Sequence, residues 1–82
     1  MTHRNDQLDW EAMSVEDILR LAIADEEEAR AYYRTAAERV GGIHTRRMLM
    51  RLAEMEAQHA AELRKELQDI LLQRDEETGI AD

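Results

Sequence analysis

The sequence predicts an all-α fold: an antiparallel two-helix hairpin that pairs with a second copy to complete a four-helix bundle. Three observations carry this expectation. The 82 residues include no proline and only three glycines, two of them adjacent at 41–42, amid many Ala, Leu, Glu and Arg, which favour helix. On either side of the glycine pair, apolar residues recur at alternating steps of three and four, the spacing of one helical face. A single hairpin leaves such a stripe facing water, and two-fold pairing covers it.

The elements follow in chain order. Residues 1–13 form an N-terminal segment with a short helical turn, in which Trp10 either covers the end of the bundle or packs against another subunit of a ring. Ser14-Val15-Glu16-Asp17 reads as a capping box, with Ser14 as N-cap and acidic residues in the first turn. Nothing then interrupts a helix over about 14–40, and Gly41 ends it in the left-handed conformation. Thr45 starts a second helix over about 45–74. The hairpin domain therefore spans 14–75, and the polar stretch 76–82 is a flexible tail.

Composition excludes several classes of function. The net charge of −8 offers no basic stripe to neutralise nucleic-acid phosphates and suits the attraction of cations. Without cysteine there is neither a disulfide framework nor a thiolate metal site. No apolar run approaches the roughly 20 residues of a membrane span, and the N-terminus lacks the apolar core of a signal peptide. The expected location is the cytoplasm.

The seams hold the chemistry. Helix one reads Val15, Leu19, Ala22, Glu26, Ala29, Tyr33, Ala36, Val40; helix two reads Thr45, Leu49, Leu52, Glu56, His59, Leu63, Glu66, Ile70. Both are apolar for most of their length, and both turn polar at mid-length, where an antiparallel hairpin brings them level. Burying a carboxylate without a partner is costly, so Glu26 and Glu56 require compensation. Glu56 and His59 form an E-x-x-H pair, one turn apart on one face, able to reach a common ion. One Glu helix plus one E-x-x-H helix is half the ligand set of a carboxylate-bridged di-iron site in a helix bundle. A second copy supplies the other half, and the resulting four carboxylates balance two divalent cations. Oxygen and imidazole donors without sulfur suit iron or manganese, with zinc as a further substitute. Tyr33, one heptad beyond Glu26, is placed to hydrogen-bond a ligating carboxylate and orient it.

At these residues the sequence resembles the ferritin-like superfamily. "AIADEEEARAYYRTAAERV" is similar to the first-helix pattern of rubrerythrin-type domains, E-x-x-A-x-x-x-Y, read as Glu26, Ala29 and Tyr33. "LAEMEAQHAAEL" is similar to the second-helix pattern, E-x-x-H-A, read as Glu56, His59 and Ala60. Within the superfamily the sequence resembles the encapsulated ferritins, two-helix chains whose ferroxidase site forms between two subunits and which assemble into rings. Glu28 and the aromatic pair Tyr32–Tyr33 match positions of that family, although Tyr32 stands where it typically has Trp. The C-terminal "TGIAD" bears a faint likeness to the peptide that docks such cargo in a shell.

The resemblance implies a ferroxidase that oxidises Fe(II) with dioxygen in iron storage or detoxification. The di-iron site, two Fe per dimer, would be held by Glu26, Glu56 and His59, with Tyr33 beside it. Asp25 and Glu28 would help metal in. The implied partners are a second copy, a higher-order ring such as a decamer, and an encapsulin shell, which would place the protein inside a nanocompartment. No cysteine-rich segment accompanies the domain, so peroxidase activity fed by a rubredoxin-like donor is not implied. The alternative is a structural hairpin that mediates assembly, its polar seam residues fixing register without metal chemistry.

Overall fold

The computed structural model describes residues 8–77. A single 3-10 turn at Trp10–Ala12 precedes two helices, α1 (Val15–Arg39) and α2 (Ile43–Glu77), which pack as an antiparallel hairpin. Ser14 caps α1 in both directions. Its Oγ accepts from the Asp17 backbone N–H at 3.1 Å, while its own N–H donates to Asp17 Oδ2 at 3.4 Å. These bonds occupy donors that a helix N-terminus otherwise leaves without partners.

The hinge is tighter than the sequence suggests. Val40 leaves α1 in an extended conformation (φ −84°, ψ 149°), its N–H still bonded to Ala36. Neither glycine takes the left-handed conformation expected of Gly41. A side chain terminates the helix instead: Arg46 Nη2 donates to the Val40 carbonyl at 3.1 Å. α2 starts at Ile43 rather than Thr45, because the Gly42 carbonyl already accepts the Arg46 N–H at 2.9 Å. At the far end the helix reaches Glu77. Part of the expected tail is therefore helical, while its remainder, 78–82, lies outside the described residues, as do residues 1–7 of the N-terminal segment.

The inter-helix contact is an alanine seam. The buried apolar residues are Ala29 and Ala37 of α1 with Ala53 and Ala60 of α2, and no large side chain is fully buried. Small residues let two helices approach to the short end of the usual 8–10 Å range. Ala29 lies on the seam read in the sequence, whereas Ala37, Ala53 and Ala60 lie beside it, so the contact is partly rotated from the expected one. Leu19, Ala22, Glu26, Tyr33, Ala36 and Val40 are half-buried, as are Leu49, Leu52, Glu56, Leu63 and Ile70, whereas Val15, Thr45, His59 and Glu66 are exposed. A two-helix ribbon covers one flank of each leucine stripe and leaves the other in solvent. That open flank is where the polar residues of the mid-seam stand. Trp10, expected to cover the bundle end or meet another subunit, leaves 48% of its surface exposed.

α2 has 35 residues against 25 in α1, making it longer by about 15 Å at 1.5 Å per residue. Its last turns reach past the start of α1, where Arg74 forms an ion pair with Glu16. Glu16 is the one buried charged residue among those described, at 2% exposure.

Candidate metal centre

Three side chains converge midway along the hairpin. Glu26 comes from the middle of α1; Glu56 and His59 come from successive turns of α2. One ligand atom from each lies within 4.8 Å of the others. His59 Nδ1 stands 3.2 Å from Glu56 Oε1 and 3.6 Å from Glu26 Oε2. The two carboxylates are mostly covered, with 27% and 20% of their side chains exposed, whereas the imidazole is 50% exposed. Glu26 Oε2 is buried and no N–H or hydroxyl donor reaches it, the His59 nitrogen standing 3.6 Å away; its close neighbour is the Glu56 carboxyl.

The three groups shift one another's affinity for protons. The Glu56 carboxyl, sharing a hydrogen bond with Glu26, pushes Glu26 above its ordinary range. Burial and the Glu56 charge add to this, against His59. Glu56 moves the other way, held below its ordinary value first by Glu26 and then by His59, against burial. The hydrogen bond to Glu56 raises the His59 imidazole, with the charge of Glu26 assisting. Like charges side by side favour protonation of one member of the pair.

A cation fits this donor set. Ligand atoms about 2.1 Å from one ion lie up to about 4.2 Å apart, so the cluster needs a contraction of less than about 1 Å. The buried Glu26 oxygen would gain a cationic partner, and the carboxylate repulsion would be neutralised. Carboxylate and imidazole donors without thiolate suit iron, manganese or zinc.

Of the remaining residues expected at the site, Tyr33 is half-buried and packs edge-to-face against exposed Tyr32, ring centroids 5.5 Å apart at 70°. Asp25 is partly buried and Glu28 exposed. Both flank Glu26 without joining the three-residue cluster. Two cross-helix ion pairs were not expected: Glu16 with Arg74, and Glu27 with Arg64 at 2.7 Å. A signal for both is present in the chain. Two acids of helix one and two arginines of helix two recur at almost equal spacing in reverse order, as antiparallel pairing requires.

A hairpin that brings one Glu of the first helix beside the E-x-x-H pair of the second carries a carboxylate–histidine group of the ferritin-like kind that could hold a metal ion. The chain belongs to the rubrerythrin family, whose model matches residues 17–80. Comparison with curated proteins and with solved structures found no match. No helix among the described residues is long and apolar enough to cross a membrane.

Proposed function

We propose that this chain is an iron-binding ferroxidase whose working unit is a pair of hairpins sharing one di-iron site. The observation that carries the reading is the Glu26–Glu56–His59 cluster. It opens to solvent at His59, on the uncovered flank of the ribbon, with a buried carboxylate oxygen that no donor reaches. Three donors from one chain leave a site half-walled, and His59 remains half-exposed. A second copy on the same flank would cover the leucine stripe and supply a second Glu26, Glu56 and His59.

In this reading Glu56 and Glu26 would hold the ions through carboxylate oxygens and His59 would give each a nitrogen ligand. Tyr33 orients a ligating carboxylate, while Asp25 and Glu28 draw ions toward the cluster. Fe(II) is the substrate and dioxygen the oxidant. The carboxylate oxygens favour Fe(III) over Fe(II), which lowers the cost of releasing the electron. Manganese and zinc would compete for the same donors.

Storage needs more than the hairpin pair. Two-helix chains do not wall a mineral cavity, so oxidised iron would be retained by a surrounding shell of the encapsulin kind, with the pairs gathered into a ring. The test of the catalytic reading is Fe(II)-dependent oxygen consumption. Glu56→Ala and His59→Ala are expected to abolish it while the far-UV circular dichroism of the helices is unchanged. Wild-type rates in either variant would overturn the reading.

A further inference from the structure

We infer that Arg64 is a positioning residue of the metal centre: through Glu27 it draws α1 and α2 together beside the ligand cluster and biases the metal-free site toward its closed spacing. The inference rests on the reading of Glu26, Glu56 and His59 as metal ligands.

Glu26 and Glu27 are adjacent, and the step of about 100° per residue sends them to different flanks of α1. Glu26 meets Glu56 and His59 in the mid-seam cluster, which opens to solvent at His59. Glu27 instead meets Arg64 Nη2 at 2.7 Å. On α2, Arg64 follows His59 by five residues, which is about 7.5 Å along the axis and on a different side of the helix. The ion pair thus joins the same stretch of hairpin beside the ligand cluster, on the side of α2 away from His59, with buried Ala60 between Glu56 and Arg64 on the α2 face.

The forces on this stretch oppose each other. Two carboxylates, Glu26 and Glu56, face each other across the seam and repel when ionised. The apolar contact resisting them is made of alanines, each offering little surface, with no large side chain fully buried. A short charge-assisted hydrogen bond beside the cluster supplies the missing attraction. Both its side chains are about half-exposed, at 51% and 42%, so its contribution to folding is small. Its consequence is the distance between the ligand helices.

The test turns on a sign. Arg64 is a cation near a cation site, so by charge alone its removal should tighten metal binding. Positioning requires the opposite. The measurement is Co(II) affinity, followed by the cobalt visible absorption in full-length protein, for wild type, Arg64→Gln and Arg64→Lys. Urea unfolding of each is measured alongside. The expected result is an affinity about fivefold weaker in Arg64→Gln, equivalent to about 1 kcal/mol, the upper range for an exposed pair. Arg64→Lys should recover most of the loss, and the unfolding midpoint of Arg64→Gln should fall by no more than the energy of one exposed pair. Unchanged or tighter binding in Arg64→Gln overturns the inference and leaves the metal centre standing. A wild type that binds no Co(II) overturns the metal centre itself, and the inference with it.

Discussion

Replacing Arg74 by methionine tests why α2 outruns α1. The substitution keeps most of the side-chain volume and removes the charge facing Glu16. The Glu16 side chain is 3% exposed, so its carboxylate cannot be rehydrated unless the last turns of α2 lift away. Breaking a fully buried pair in this way costs about 3–5 kcal/mol, because the remaining charge is uncompensated. Arg74 is itself 56% exposed, and solvent screens part of the interaction. The expected cost is therefore about 2 kcal/mol, or about 10 °C in Tm for a domain of this size. Adding Glu16→Gln removes the stranded charge and should return most of that loss, a coupling of at least about 1 kcal/mol between the positions. Urea unfolding followed at 222 nm, metal-free and at one chain concentration, measures all four members of the cycle. If Arg74→Met falls within about 0.5 kcal/mol of wild type, the pair behaves as an ordinary surface contact. A double variant no more stable than Arg74→Met would refute the argument from burial.

Three further outcomes are expected. Saturation with Co(II) or Fe(II) under anaerobic conditions should stabilise the wild type by about 2.7 kcal/mol at a ligand concentration 100-fold above Kd; Glu56→Leu and His59→Leu should lose that stabilisation. A purely structural hairpin instead predicts that those variants form more stable dimers with no metal effect on wild type. Metal-free stability should fall as pH rises above the ordinary imidazole value of 6.5. The His59 pKa is raised by folding, so its contribution is complete below the unfolded value and lost through the folded one. Metal-induced stabilisation should grow over the same range as protons leave the ligands, and His59→Ala should flatten the metal-free dependence; an unaltered slope contradicts this assignment. Ala60→Leu should cost about 1–3 kcal/mol by overpacking and should weaken Co(II) binding. Ala60 is wholly buried, next to His59 in the seam that sets the helix spacing, so unchanged affinity with intact helices would uncouple that seam from the site.

What could be read from the sequence divides along a physical line. Features set within one helix were legible. The Ser14 capping box depends on four consecutive residues, and the E-x-x-H pair of Glu56 and His59 depends on helical period alone. Glu26 was placed opposite them because a short hinge forces the mid-points level. Features set by how one helix is rotated against the other were not legible. The period allows either the leucine stripe or the neighbouring alanines to face inward. Close packing through Ala29, Ala37, Ala53 and Ala60 leaves the leucines half-covered and His59 at the surface. Gly41 was assigned the end of α1 because glycine tolerates the left-handed turn. The actual terminator is the Arg46 guanidinium on the Val40 carbonyl, six residues away, a contact that exists only once the hinge has closed. Glu16 and Arg74 escaped for the same reason: each looks like an ordinary solvated charge within its own helix.

The central claim is a metal site divided between two chains, and mass and metal content measured together test it most directly. Size-exclusion chromatography with light scattering would be run on metal-free protein and again after anaerobic Fe(II) addition, with bound iron quantified in each peak. About one iron per chain is expected, the two Fe of a paired site, with a shift toward the dimer or a larger ring as iron binds. Association with no stoichiometric iron, or full iron loading of a persistent monomer, would contradict that claim.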